Sequence, residues 1–346
     1  MTTTHITLLV PGLTKNFPYH TKQLPHLPAL ETILARSNHT PVSEDSFSSS
    51  VLQQFKIDQN ISCNAAIDRY ADSGNKDERI WMHVDPVYME ADKDRLILRG
   101  NQVLELDKDS ADMLLKELNA LYADDGYVFE CYHPHRWYLS VPHLPASKFH
   151  SLENVLGRSV EPFLPTGDDQ SHWHRFMNEV QMLLHASEIN HQRAIEQQYP
   201  VNSVWCWGPG HIPELSDSGW DAVVTDDVFV KGLSLLTNSP VYPVPQSTDE
   251  LLGQALTKKP HGESQILMVM GETEEDLLSQ DINDYQNKLL MLEKNWFSPL
   301  LKALKSNTVS SINIQTCHGD GYQLNKKMLR RFWRKNKKQP LANDDN

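Results

Sequence analysis

Apolar positions fall in short runs, and their spacing separates the chain into regions of different character. Ile6-Thr7-Leu8-Leu9-Val10 is continuous rather than alternating, which predicts a strand covered on both faces, and Pro11-Gly12 stops it. Residues 25–36 carry Leu27, Leu30, Ile33 and Leu34 at helical spacing, and the serine-rich run 37–50 has no period and reads as a loop. Between about 80 and 145 the pattern becomes strand, strand, helix, strand, strand. Its strands are 81–89, 95–98, 127–131 and 137–141, and its helix is 108–122, with Asp109 or Ser110 as candidate cap. A long amphipathic stretch, 171–198, reads as a helix bent near Ser187 and ended by Pro200. From 201 to 316 strands (201–207, 222–225, 241–244, 265–270, 309–316) alternate with helices (228–236, 248–256, 281–305), the pattern of a parallel sheet with helices on both faces.

These elements predict an α/β fold: a mostly parallel sheet flanked by helices, built from 1–60 and 171–325. A smaller α+β subdomain, 78–145, is inserted, with a connection at 146–170 and a basic tail at 326–346.

Composition narrows the class. The 346 residues are 39% hydrophobic and 22% charged, which suits a globular chain and argues against disorder. No apolar run approaches the roughly 20 residues a bilayer span needs. Cys63, Cys131, Cys206 and Cys317 form no CxxC pair, and the amino terminus has no basic, apolar leader, so the expected location is cytoplasmic. The net charge is −13, yet residues 326–338 (KKMLRRFWRKNKK) are strongly basic, so the remaining body is more acidic still. Such a body repels polyanions, and bulk nucleic-acid binding is not expected. The basic tail reads either as a self-docking terminal segment or as the surface of a protein-interaction module for a regulatory partner.

Candidate chemistry concentrates in a few places. VNSVWCWGPG (201–210) is a strand followed by a turn, and in a parallel sheet such turns lie at the ligand-binding carboxyl edge. It reads equally as a core strand with an ordinary turn. His133-Pro134-His135-Arg136 groups imidazoles with a guanidinium suited to a phosphate or carboxylate. Asn190, His191 and Arg193 supply a second basic edge, and His172, His174 and His185 read as a polar network rather than a metal pair. The acidic segment 271–281 and Cys317-His318-Gly319-Asp320 follow strands, although hard cations want carboxylates and imidazoles together and no histidine accompanies 271–281.

Taken in order, WMHVDPVYMEADKDRLIL (81–98), HPHRWYLSVP (133–142), GRSVEPFLPTG (157–167), 178–210 and TDDVFVKGLS (225–234) resemble the archaeal-type cofactor-independent phosphoglycerate mutases of the alkaline phosphatase superfamily. The likeness is nearest to bacterial relatives labelled RpfE-type regulatory proteins. It implies an alkaline-phosphatase-like core, and it covers about residues 80–335.

The departures from the family pattern shape the functional expectation. Where the mutases end their first strand in a metal-binding Asp-Gly, this chain has Pro11-Gly12. Their later Asp-x-x-x-His segment corresponds to Gly271–Leu278 here, which has no histidine, and no serine in 43–50 is singled out as nucleophile. The resemblance therefore implies a catalytically degenerate, regulatory protein without a metal cofactor. Its ligand would be a small phosphorylated metabolite held by His133, His135, Arg136, Arg193, Asn202, Gly208 and Gly210. The alternative is an active mutase or phosphatase whose manganese or magnesium is held by Glu272, Glu274, Asp276, His318 and Asp320.

Overall fold

A computed structural model describes residues 3–13, 25–41, 46–58, 63–253, 262–270, 282–317 and 320–334. The chain divides into two compact units, one of residues 1–59 and 215–346, the other of 60–214.

The first unit is a seven-stranded sheet. Its strands are β1 (Thr3–Leu9), β2 (Asn38–Pro41), β10 (Ala222–Val224), β11 (Val241–Tyr242), β12 (Glu263–Val269), β13 (Ser311–Gln315) and β14 (Asp320–Asn325), in the order β11-β10-β12-β1-β13-β14-β2. The pairs β11–β10, β10–β12, β12–β1 and β1–β13 are parallel, while β14 runs antiparallel to both β13 and β2. β1 sits centrally, as its unbroken apolar run predicts, with Ile6, Leu8 and Leu9 fully buried. On one face Ile6, Leu8, Ile266, Met268, Ile312 and Ile314 pack under α1 (Pro28–Arg36) and the helix Ser298–Lys305. The serine-rich segment is more ordered than a loop over its described part. Asn38–Pro41 is the edge strand β2, and Ser46 accepts from the Ser49 amide to cap α2 (Phe47–Gln54).

The 281–305 helix is interrupted: Ile282–Leu292 passes into a π-helical turn, Glu293–Phe297, before Ser298–Lys305. At the end of the described chain, Arg331 donates to the Arg36 carbonyl and Arg334 to the Ser37 carbonyl, so the basic segment docks on the carboxyl end of α1. Phe332 and Trp333 stay exposed.

The second unit is a five-stranded antiparallel sheet. Its strands are β3 (Ile80–Asp92), β4 (Arg95–Gly100), β5 (Val128–His133), β6 (Arg136–Val141) and β9 (Ser203–Gly210), with β7 (Ser147–Lys148) and β8 (Thr166–Gly167) forming a separate pair. The first half of β3 pairs with β6 and β9, and its second half with β4. Three helices pack on this sheet. α3 (Asn64–Ser73) lies against one face, and α4 (Lys108–Leu121) and α6 (Gln170–Ala186) add Leu114, Leu118, Phe176 and Val180 to the other. Asp107, two residues before the nearer expected cap Asp109, caps α4 through the Ser110 amide. α5 is the short turn Leu152–Val155, and α6 breaks at Ser187 into α7 (Glu188–Ile195), as expected of the bend.

Residues 171–214, assigned from the sequence to the parallel sheet, belong to the second unit, and β9 pairs antiparallel with β3. An apolar strand run records burial and says nothing of its partner. The remaining strand–helix alternation of the first unit is α8 (Val228–Leu236) after β10 and α9 (Thr248–Gly253) after β11. Among the described residues no helix is long and apolar enough to cross a membrane.

Candidate functional site

The polar centre of the second unit lies between α3 and the sheet. On β3 the side chains alternate, so Met82 and Val84 enter the apolar core while Trp81, His83 and Asp85 face α3. Asp68 and Asp72 are four residues apart on α3 and so share a face. His83 is fully buried, and its Nε2 lies 3.0 Å from Asp68 Oδ2. Its Nδ1 lies 3.6 Å from Asp85 Oδ1, and the ring stacks on Trp207 at 4.1 Å between centroids. Asp85 accepts from the Trp137 amide at 3.1 Å and the Trp207 indole at 2.8 Å.

Burial alone would lower the His83 pKa, but Asp85 and Asp68 together raise it to about 9, which favours the imidazolium form of the ring stacked on the indole. Burial pushes the Asp68 carboxyl above its usual range, opposed by its bond to His83. Gly208 allows this packing. Its φ is +60°, and a Cβ there would sit 3.2 Å from the Asn64 Cβ at the start of α3.

The half-buried end of the cluster is an ion pair. Arg136 donates to Asp72 through Nε at 2.8 Å and Nη2 at 2.7 Å, and the Tyr138 hydroxyl donates to the same carboxylate at 2.6 Å. This fork is the geometry an anionic ligand would use, already occupied by the chain's own carboxylate. His133 and His135 flank it on the β5–β6 hairpin, their rings 5.7 Å apart. Desolvation and then Arg136 hold His133 below its usual pKa; desolvation, then His133 and Arg193, do the same for His135.

The hairpin thus brings together His133, His135 and Arg136 of the expected ligand set. Arg193 is buried, and its guanidinium donates to the carbonyls of Tyr199 and Leu104. Asn202 bridges the Met89 amide and carbonyl, each at 2.8 Å, and serves the sheet. Asn202 and Gly210 stand at opposite ends of β9, roughly 25 Å apart for an extended strand, so they do not share one small ligand. Gly210 is paired in the ladder with Trp81 and is no free turn. Sequence reading missed Asp68, Asp72 and His83, although the i, i+4 carboxylates and a histidine inside an apolar strand were visible signals. His172 meets the Tyr127 hydroxyl at the surface and His174 the Pro165 carbonyl, two separate contacts.

In the first unit the parallel strands end in side chains poorly matched to a hard cation. β1 is followed by Val10, Pro11 and Gly12, and β12 by Met270. Asp227, after β10, caps α8 through the Val230 amide, and Asp320 pairs with His39. Among the described residues no three of His, Cys, Asp or Glu gather as a metal site requires. Glu272, Glu274, Asp276 and His318 lie outside the described residues.

No family model matches the chain. It is similar to the 2,3-bisphosphoglycerate-independent phosphoglycerate mutase of Methanosarcina mazei, 27% identical over 63 residues, 18% of this chain and 16% of that one. The corresponding enzyme of Methanosarcina acetivorans is 26% identical over 105 residues, 28% of this chain and 26% of that one. The matched stretches therefore span about a quarter or less of these curated relatives. Among solved structures, the PH0037 protein of Pyrococcus horikoshii superposes with a TM-score of 0.59 at 13% identity, over 92% of this chain and 86% of that one. This likeness is one of fold. The chain thus has a mostly parallel sheet flanked by helices and a weak, partial sequence likeness to the cofactor-independent phosphoglycerate mutases.

Proposed function

We propose that this chain is a phosphoglycerate-mutase-like protein without mutase turnover, acting in the cytoplasm as a binding or regulatory protein of the RpfE type. The observation that carries the reading is Pro11 at the end of the central strand. Proline offers no side-chain oxygen where the family pattern has an aspartate. Phosphoryl transfer gains several kcal/mol of transition-state stabilisation from each such charge-neutralising contact, worth several powers of ten in rate. The thiols Cys63, Cys131 and Cys206 support a reducing compartment.

The ligand in this reading is a small phosphorylated metabolite at His133, His135 and Arg136. Asp72 competes with it for Arg136, so binding is weak until that ion pair opens. Calorimetry with 3-phosphoglycerate at low salt tests this. Asp72→Asn is expected to tighten binding by about tenfold and Arg136→Ala to abolish it, since a charge-assisted pair is worth roughly 1.5–3 kcal/mol. Binding should also strengthen below pH 6.5, where the two imidazoles, held below their usual pKa, take up protons. No heat with any variant, or equal affinity for Asp72→Asn and Arg136→Ala, would remove this ligand.

The competing reading, favoured by the sequence likeness to the mutases, is an active enzyme using manganese or magnesium at Glu272, Glu274, Asp276, His318 and Asp320.

A further inference from the structure

We infer that the first unit carries a binding site for a small uncharged, hydroxyl-rich molecule of the monosaccharide class, in a cavity of about 420 Å³ beside β13. Alternation along β13 creates it. Ile312 and Ile314 enter the apolar core, which turns Ser311, Asn313 and Gln315 to the other face. The antiparallel partner of Asn313 is Gln323 on β14, and Gly321 stands opposite Gln315 and next to Thr40 on β2. Gln53 and Gln54 at the end of α2 close the side. Among the described residues the polar lining is Thr40, Gln53, Gln54, Asn313, Gln315 and Gln323, all uncharged.

The hydrogen-bond inventory of these groups selects the ligand. Gln54 Nε2 donates to Gln315 Oε1 at 2.8 Å, and Asn313 Nδ2 donates to Thr7 Oγ1 at 3.3 Å. Asn313 Oδ1 is buried without a partner. Turning the amide over only moves the vacancy to its nitrogen. A buried amide atom without a partner is a standing cost. A phosphorylated ligand meets no cation among the described lining residues, and an apolar one leaves the amides unpaired. A molecule that both donates and accepts without carrying charge satisfies them, and the volume lies in the range of small-molecule sites, about 300–1,000 Å³. These residues are distinct from those of the anion reading, so the two stand or fall separately.

Saturation-transfer NMR and calorimetry on the full chain, with D-glucose, N-acetyl-D-glucosamine and glucose 6-phosphate, test the site. At least one neutral sugar is expected to bind, and glucose 6-phosphate more weakly than glucose. Asn313→Ala should weaken the neutral ligand about tenfold. Gln323→Ala, at an exposed position where folding is not at risk, should weaken it several-fold. Absence of transfer to both neutral sugars, tighter binding of the phosphate ester, or unchanged affinity in Gln323→Ala would each overturn the inference.

Discussion

His83→Phe is expected to cost about 3–5 kcal/mol of folding stability, because it leaves the buried carboxylate face of Asp68 and Asp85 without its cation. The aromatic volume is kept, so the loss reports charge rather than a cavity. Pairing it with Asp68→Asn should recover part of the loss, since neutralising both members of a buried pair is milder than orphaning one. The same imidazole gives the stability a pH dependence. Its folded pKa of about 9 lies above the unfolded value of about 6.5. Its contribution is therefore present in full below pH 6.5 and is lost as pH rises through 9, by about 3 kcal/mol at most.

Asp68, its carboxyl raised by burial, titrates coupled to His83, and the other neighbouring groups lie outside that window. Burial pushes Cys63 up to about 12 and moves Cys206 and Tyr138 well above their ordinary ranges, while Arg136 is held charged by Asp72. Urea midpoints at pH 6.5 and pH 9 should differ in the wild-type chain, and this cluster's share of the difference should vanish in His83→Phe. An unchanged pH dependence, or a loss under 1 kcal/mol, would mean that the ring is neutral and merely packed.

Glu293→Ala is the other large effect. α1 begins at Pro28 after Leu27, a residue with no capping side chain. The missing cap comes from far along the chain: buried Glu293 accepts from the Ala29 amide at 2.7 Å and the Leu30 amide at 3.0 Å. The π-helical turn Glu293–Phe297 sets the register that presents this carboxylate to the start of α1. Its charge also suits the positive end of the helix. Removing it leaves two buried N–H groups unmet, for an expected loss of about 2–4 kcal/mol. Glu293→Gln keeps one acceptor oxygen and should lose roughly half as much. Denaturant unfolding measures both, and hydrogen exchange should show α1 amides opening first. A loss below 0.5 kcal/mol for Glu293→Ala would show that water replaces the cap.

This cap also marks what the sequence could not reveal. Helical spacing across 281–305 is compatible with one unbroken helix, and nothing local shows that a π-turn redirects Glu293 toward a helix more than 260 residues away in sequence. β1, α4 and α8 were legible because their apolar residues bury against apolar partners. α3 was not, because the face it buries carries Asp68 and Asp72, whose partners His83 and Arg136 are distant in sequence. β2 escaped notice for a related reason. Asn38–Pro41 is exposed along its whole length and is held by backbone pairing to β14 rather than by apolar side chains. In the candidate site, the HPHR segment was visible as a basic cluster. Its neutralisation by Asp72 depends on the packing of α3, which no spacing within the hairpin encodes.

The most direct test of lost turnover is a coupled assay converting 3-phosphoglycerate to 2-phosphoglycerate, run on the purified chain of residues 1–346 with added manganese or magnesium. No turnover above the protein-free rate is expected with either ion. Metal-dependent conversion that disappears in His318→Ala or Asp320→Ala would contradict this and make the chain a working mutase.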